Sequence, residues 1–277
     1  MAPVTQGAGS MSGGTKIHPT AIVEPGAAIG AGVEIGAYSV IGPEVCLRDG
    51  VHIHPHVVIA GKTEIGEATQ IFPFASLGQA PQDRKFRGEE SRLVIGAGNV
   101  IREYVTMNPG TEQGGLVTRI DDNGLFLTGA HIAHDCQIGN HVLLVNNATL
   151  GGHCVVGDFA SVGGLSAVHQ FVRIGAYAFI GGMSGVENDV IPFGIALGNR
   201  AHLAGLNIVG LKRHNFDREQ IHGLRKAYRM LFATEGTLLE RLDDVEKMFS
   251  QDRHVRRIIE FIKADSSRSL CVPRNGA

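Results

Sequence analysis

Apolar residues recur at every sixth position along most of the chain. From Ile120 to Val186, all twelve positions of this register are Ile, Leu, Val or Phe, although apolar residues make up only 43% of the sequence. The same six-residue period, offset by one residue, runs from Ile17 to Leu77, usually with a smaller residue such as Val33 two positions earlier. Residues two apart in a strand point to the same face. Each hexad therefore predicts a short strand with one large and one small inward side chain, and such a repeat is typical of a parallel β-helix.

Two segments interrupt the register and are predicted to be loops at corners of the prism. Residues 79–92 are charged and lack the period, which resumes at Ile95, and residues 108–119 break it again before Ile120. Three strands make one triangular coil of about eighteen residues, and successive coils stack about 4.8 Å apart. In all, 26 hexads predict the same number of strands in roughly nine coils.

The period becomes helical after Asn215. Asp217 with Gln220, and Thr237 with Glu240, have the spacing of capping boxes, and a third amphipathic segment follows them. Three helices are therefore predicted to cover the open edge of the last coil. We predict a mainly β chain in three parts: residues 1–14, a disordered leader or an expression remnant; residues 15–195, the β-helix domain; and residues 196–277, a small helical domain whose tail, 266–277, is frayed.

The bulk composition excludes several classes of protein. The formal net charge is −2, so nucleic acid is not an expected partner. No apolar run reaches the length of about eighteen residues that predicts a membrane span, and residues 1–14 lack the features of a secretory signal. The four cysteines show no CxxC spacing, which favours a reducing compartment over a disulfide scaffold or a structural zinc site. We therefore expect a cytoplasmic protein.

A period of eighteen arranges residues in columns, because residues one coil apart lie one above the other. His134 is predicted to lie beneath Gly152, and Gly152 beneath Gln170. His153 and His169 occupy adjacent columns of the same corner. The spacing therefore gathers three histidines, a glutamine and a glycine on three successive coils.

General-base catalysis is the chemistry that such a corner could support. His134 is suited to take a proton from a hydroxyl near neutral pH, and Asp135 could hold its ring in the useful tautomer. Gly152 could donate its backbone N–H to a developing oxyanion. No serine or cysteine on this column stands out as a nucleophile, since Cys136 falls in the small inward position of its hexad. The reaction is therefore predicted to proceed by direct transfer and not through a covalent intermediate.

Two other classes of function remain open at this point. A β-helix metalloenzyme of the carbonic anhydrase type would need three histidines converging across a subunit interface. A structural solenoid or carrier-binding scaffold would need no catalytic group. A single outward histidine on a β-helix is also more often a solvated surface residue than a base, as we interpret the alternating His52, His54 and His56.

Four motifs closely resemble the bacterial UDP-N-acetylglucosamine O-acyltransferase family. They are HIAHDC at 131–136, NNATLGGH at 146–153, AVHQF at 167–171 and NIVGLKR at 207–213. The resemblance covers about residues 15 to 265. It implies a left-handed parallel β-helix, a homotrimer with active sites between subunits, and no cofactor or metal. The implied reaction moves an (R)-3-hydroxyacyl chain from acyl carrier protein to the glucosamine 3-hydroxyl of UDP-N-acetylglucosamine, the first step of lipid A biosynthesis.

The resemblance also assigns roles to individual residues. His134 matches the general base, Asp135 the acid that orients it, and Gly152 the oxyanion donor. The remaining matches are implied substrate contacts: Asp83, Lys85 and His131 on the sugar side; His153, His169 and Gln170 along the nucleotide-sugar and acyl pocket; Gly164 at the hydroxyl of the acyl chain; and Asn207 and Arg213 at the nucleotide and the carrier.

Several positions depart from the family pattern or extend it. Val209 stands where an acidic residue is common, and His214 stands where a second arginine is common. The region implied to measure acyl length includes Gly182, Met183 and Arg200. An acidic carrier predicts a basic docking patch, for which Arg173, Arg200, Lys212 and Arg213 are the candidates.

Overall fold

Short strands of a triangular prism account for the entire hexad register. The computed structural model describes residues 14–274, so the predicted leader lies, apart from Gly14, outside the described residues. The prism has 26 strands, as predicted, and each ends on the apolar residue of its hexad. In chain order they are β1 Lys16–Ile17, β2 Ile22–Val23, β3 Ala28–Ile29, β4 Glu34–Ile35, β5 Val40–Ile41, β6 Cys46–Leu47, β7 His52–Ile53, β8 Val58–Ile59, β9 Lys62–Ile65, β10 Gln70–Ile71, β11 Ser76–Leu77, β12 Arg92–Ile95, β13 Val100–Ile101, β14 Thr106–Met107, β15 Val117–Ile120, β16 Leu125–Phe126, β17 His131–Ile132, β18 Gln137–Ile138, β19 Leu143–Leu144, β20 Thr149–Leu150, β21 Val155–Val156, β22 Ser161–Val162, β23 Ala167–Val168, β24 Arg173–Ile174, β25 Phe179–Ile180 and β26 Gly185–Val186.

Every third strand pairs in parallel, which gives three sheets around one core. The first sheet runs from β1 to β25, the second from β2 to β26 and the third from β3 to β24. Ile132 pairs with Leu150 one coil later, which confirms the predicted eighteen-residue columns. Across the second loop, Met107 pairs instead with Ile132, so the loop adds residues without disturbing the stack.

Both loops leave the prism at the same corner. We number the three corners of each coil by the sheet whose strand precedes them. The first loop, 78–91, lies between β11 and β12, and the second, 108–116, lies between β14 and β15, so each follows a strand of the second sheet. The second loop contains a 3₁₀ turn, Glu112–Gly114. It ends earlier than predicted because β15 pairs along four residues with β12.

The inward side chains fill the prism as the alternation predicts. Ile53 and Val51, two positions apart, are both fully buried. Phe126 is among the largest side chains that solvent does not reach. Its ring packs so close to Gly124 that a Cβ there would lie 2.6 Å from the ring. A close-packed aliphatic core of this kind is sensitive to any loss of volume.

The C-terminal part contains more elements than the three predicted helices. Strands β27 (Gly194–Leu197) and β28 (His202–Leu206) form an antiparallel pair that continues the first sheet. They are followed by α1 (Ile208–Arg213), α2 (Arg218–Leu231), α3 (Leu238–Met248) and α4 (Arg253–Lys263). The sequence did not reveal α1, since six residues with Leu211 alone buried show no helical period. Both predicted capping boxes, at the starts of α2 and α3, are present.

The C-terminal tail is ordered, so the prediction that residues 266–277 are frayed is wrong for the described part. Cys271 is buried, and its N–H donates to the carbonyl of Asp189. Leu270 forms a parallel bridge with Asp189. The tail is held by contacts with distant residues, which a local pattern does not show. The division of the chain at residue 195 stays a prediction.

No helix within residues 14–274 is both long and apolar enough to cross a membrane.

Phe126→Ala should lower the free energy of unfolding by about 3–5 kcal/mol, because it leaves a cavity in a core that cannot collapse around it. Leu125→Ala on the same strand is the matched control, since Leu125 points outward and is 37% exposed. It should cost about 1 kcal/mol or less. Urea unfolding followed by circular dichroism measures both, and equal losses would contradict the assigned strand faces.

Candidate active site

His134 and Asp135 form a buried pair at the second corner, between β17 and β18. Their relative exposures are 6% and 4%. His134 Nδ1 lies 2.8 Å from Asp135 Oδ2. Because a carboxylate only accepts hydrogen bonds, Nδ1 carries the proton and the lone pair lies on Nε2. The pair therefore has the arrangement expected of a histidine base held in one tautomer by an acid.

The second loop fixes the carboxylate of Asp135. Thr111 donates to it twice, from its N–H at 2.8 Å and from its hydroxyl at 2.6 Å. The hydroxyl of Thr118 accepts from the Asp135 N–H at 2.7 Å. A buried charge needs such partners to offset its desolvation. Sequence reasoning missed both threonines: Thr111 lies in the second loop, which has no register, and Thr118, on β15, falls within the segment that was predicted to be loop.

Gly152 lies against the reactive edge of the His134 ring. A Cβ at Gly152 would come within 2.6 Å of His134 Nε2 and 2.4 Å of Cε1. The φ of Gly152 lies outside the left-handed region, so the close approach of the ring, and not the backbone conformation, explains the glycine. Among residues 14–274, no hydrogen bond uses the Gly152 N–H, so this donor is available beside the base.

His153 extends the site along the same corner. Its ring meets His134 edge-on at 5.0 Å between centroids and stacks on Phe171 at 4.3 Å. Burial lowers the pKa of His153, while the nearby carboxylate of Asp135 acts in the opposite direction. His153 is thus disposed to remain neutral. Phe171 was missed because an outward aromatic residue in the hexad has no distinguishing spacing.

His131 lies on β17, before the His134–Asp135 pair. Its Nδ1 is 2.7 Å from the hydroxyl of Thr106 on β14. Burial lowers the pKa of His131, and the neighbouring His134 lowers it further. A neutral ring at this position offers a hydrogen bond to a substrate without adding charge next to the base.

The first loop brings Asp83 and Lys85 toward the same corner. Lys85 donates from its N–H to Asp83 Oδ1 at 3.0 Å and from Nζ to Gln113 of the second loop at 3.3 Å. Both charges also act on the pKa of His153: Asp83 raises it and Lys85 lowers it. The predicted sugar-side residues are therefore close to the buried pair.

His169 and Gln170 lie on the coil above Gly152, as predicted. The N–H of Phe171 donates to the carbonyl of Gly152, which fixes this stacking. A residue of the C-terminal tail joins them: Arg268 contacts the ring of His169 and the carbonyl of Gln170. Sequence reasoning missed Arg268, which is about a hundred residues away in the chain.

Three predicted substrate contacts lie elsewhere in the same chain. Gly164 follows β22 and therefore lies at the first corner. Asn207 lies beside the third corner, where its side chain donates to the carbonyl of Tyr177 and caps α1 by accepting from the N–H of Gly210. Arg213 is exposed at the end of α1. One chain therefore does not bring these residues to the second corner.

The predicted basic patch is only partly available. Arg173 is mostly buried and pairs with Asp189 at 2.7 Å, and Arg200 pairs with Glu187 at 2.9 Å. Arg173 is therefore poorly placed to meet a carrier, whereas the Arg200 side chain is 80% exposed despite its ion pair, and its place in the patch stays a prediction. Lys212 and Arg213 remain exposed.

His134, Asp135 and His153 also form the one group within residues 14–274 whose possible metal-ligand atoms converge, within 4.8 Å of one another. A zinc site of the carbonic anhydrase type uses three histidines. Here the third member is a carboxylate, and its oxygens already accept from Thr111 and His134. The donor set therefore fits an oriented base better than a zinc centre of that three-histidine type. The prediction that no metal is held stays a prediction, which metal analysis of pure protein tests.

Known proteins similar to this chain agree on one family. A family model described as UDP N-acetylglucosamine O-acyltransferase, domain 2, matches residues 189–271. The acyl-(acyl-carrier-protein)–UDP-N-acetylglucosamine O-acyltransferase of Caulobacter vibrioides is 51% identical over 258 residues, 93% of this chain and 98% of the relative.

Solved structures agree on the fold. The UDP-N-acetylglucosamine acyltransferase from Campylobacter jejuni is 39% identical with a TM-score of 0.88, and covers 94% of this chain and 100% of its own. That of Francisella novicida is 32% identical with a TM-score of 0.91, over 94% and 95% of the two chains. These matches confirm the predicted left-handed parallel β-helix with a small C-terminal helical domain.

Gly152→Ala should displace the His134 ring, because the new methyl group would occupy the space of the ring's Nε2 edge. Gly42→Ala is the matched control, since its Cβ would lie at an ordinary 3.4 Å from its nearest neighbours. Crystal structures of both variants measure the effect. A His134 ring that stays in place in Gly152→Ala would contradict the assigned packing.

The pKa of His131 predicts how stability depends on pH. Burial holds its native pKa below 6.5, so the unfolded chain binds the proton more readily. This contribution to stability is complete above pH 6.5 and is lost as the pH falls through the native pKa. Between about pH 7 and 5, the free energy of unfolding measured by urea titration should therefore fall less for His131→Gln than for the wild type. His18→Gln, at an exposed histidine, is the control; identical pH profiles for wild type and His131→Gln would refute the assignment.

Proposed function

The chain belongs to the UDP-N-acetylglucosamine O-acyltransferase family, and on that basis we propose the reaction and the mechanism of its second corner. The chain transfers an (R)-3-hydroxyacyl group from acyl carrier protein to the 3-hydroxyl of UDP-N-acetylglucosamine, in the first step of lipid A biosynthesis. Names of relatives support both substrates. The observation that carries the mechanism is the buried His134–Asp135 pair facing Gly152.

The proposed step uses His134 first as base and then as acid. Its Nε2 takes the proton of the sugar 3-hydroxyl as that oxygen bonds to the thioester carbonyl carbon. The carbonyl oxygen becomes an oxyanion, to which the Gly152 N–H donates. When the C–S bond breaks, the protonated ring returns its proton to the leaving thiolate. Asp135 stabilises the imidazolium formed in between.

Direct transfer is supported by the state of the nearby thiols. Cys136 and Cys154 are fully buried, and each Sγ donates to a backbone carbonyl at 3.2 Å. Burial raises the pKa of Cys136 well above its ordinary value. Because the thiolate is the nucleophile, a buried protonated thiol is a poor candidate for a covalent intermediate.

The substrate contacts divide into two groups around the base. Asp83 and Lys85 come from the first loop, His131 comes from the strand that precedes His134, and all three are assigned to the sugar. His153, His169 and Gln170 lie above it and are assigned to the nucleotide-sugar and acyl pocket. The nucleotide sugar is therefore assigned contacts in both groups, and the acyl chain in the second.

A homotrimer is supported by the contacts that one chain leaves apart. Gly164, Asn207 and Arg213 lie away from the second corner. Corners of one prism face different directions, so these residues reach a site at His134 only from a neighbouring copy. Three copies with sites in the clefts between them would assemble every assigned contact. The cytoplasmic location likewise stays a prediction.

His134→Ala should lower the rate of acyl transfer by about 10²–10⁴-fold, because general-base catalysis contributes that much. The assay follows acylated UDP-N-acetylglucosamine by mass spectrometry, with a mixed acyl-carrier pool that also reports chain length. His141→Ala, an exposed histidine at the third corner, is the matched control. Wild-type turnover in a folded His134→Ala variant would remove His134 from the mechanism.

A further inference from the structure

The C-terminal tail passes directly over the upper end of the site. It is tied down at Asp189, a carboxylate that is only 1% exposed. Asp189 accepts from Arg173 at 2.7 Å and from the hydroxyl of Ser266 at 2.6 Å. Ser266 in turn accepts from the N–H of Arg268 at 3.1 Å. A buried, fully partnered carboxylate thus sets the position of Arg268.

Arg268 makes two contacts with the second corner. Its Nε donates to the carbonyl of Gln170 at 2.9 Å, and its Nη2 lies 2.6 Å from His169 Nδ1. His169 Nδ1 is also 3.3 Å from the Gln170 carbonyl. A guanidinium only donates, so Nδ1 must accept from Arg268 and cannot also donate to that carbonyl. The proton of the neutral ring therefore lies on Nε2.

We propose that Arg268 is a positioning residue of the acyltransferase site, which holds His169 in the tautomer that donates from Nε2 and fixes the Gln170 peptide. His169 then offers a hydrogen bond to an oxygen of a substrate, on either the nucleotide sugar or the acyl donor. The inference rests on the proposed function, because it takes the second corner as the substrate site. It extends that site to a segment about a hundred residues further along the chain.

The ring state of His169 tests the proposal without turnover. Nitrogen-15 spectra of histidine-labelled protein distinguish a ring protonated on Nε2 from one protonated on Nδ1. The wild type should show the Nε2–H form, and Arg268→Met, which keeps length but removes the donors, should shift His169 toward a mixture. Arg274→Met, at an exposed arginine of the same tail, should leave the spectrum unchanged. An Nδ1–H ring in the wild type, or no change in Arg268→Met, overturns the proposal.

Kinetics supply the second measurement. Arg268→Met should lower kcat/KM by about ten- to a hundredfold, the range expected for losing hydrogen bonds from a charged group. Arg268→Lys, which can restore one of the two bonds, should recover part of this loss. KM is measured separately for each substrate, and the substrate whose KM rises is the one that His169 contacts.

A double-mutant cycle separates positioning from general stability. If Arg268 acts through His169, Arg268→Met should cost much less in a His169→Ala background than in the wild type. Equal losses in both backgrounds, or an equal loss from Arg274→Met, would mean that the tail only stabilises the fold and would overturn the proposal. An active His134→Ala variant would instead refute the proposed mechanism, and the tautomer measurement would stand apart from that result.

Discussion

The parallel stacking of two-residue strands, one coil on the next, is the constraint on which this molecule depends. A strand of this length has no stability of its own. Ile132 is held because it pairs with Met107 below and with Leu150 above. Extra residues are tolerated only where they leave the stack, at a corner, because an insertion within a strand would turn its inward side chain outward.

The candidate site lies at the corner where these extra residues leave the stack. Both insertions leave from the second corner, on the two coils beneath His134, and the second one folds back over Asp135. Thr111 then donates from its N–H and its hydroxyl to a carboxylate that is almost completely buried, and the hydroxyl of Thr118 accepts from the N–H of Asp135. Without these partners, the acid would carry a large desolvation penalty. The second loop, which interrupts the repeat, thus supplies the hydrogen bonds that allow the His134–Asp135 pair to be buried.

The same regularity explains why the chemistry needs more than one segment of chain. A column holds only what successive coils place at one corner, which here is His134, Gly152 and Gln170. Other contacts must come from the loops, from the C-terminal tail through Arg268, or from another copy of the chain. The prism gives exact spacing along its axis but little enclosure, and the additional segments supply that enclosure.

The sequence by itself determined the fold class, the 26 strands of the prism and the column of His134, Gly152 and Gln170, with Asp135 beside it. It could do so because a strict period converts distance along the chain into position in space. The loops, the tail and α1 lack a period, so the contacts of Thr111 and Arg268 could be seen only in the tertiary structure. Tertiary packing also assigned Arg173 to Asp189 rather than to an open surface. Contacts between segments far apart in the chain depend on complementary shape and charge, which a local sequence pattern does not predict.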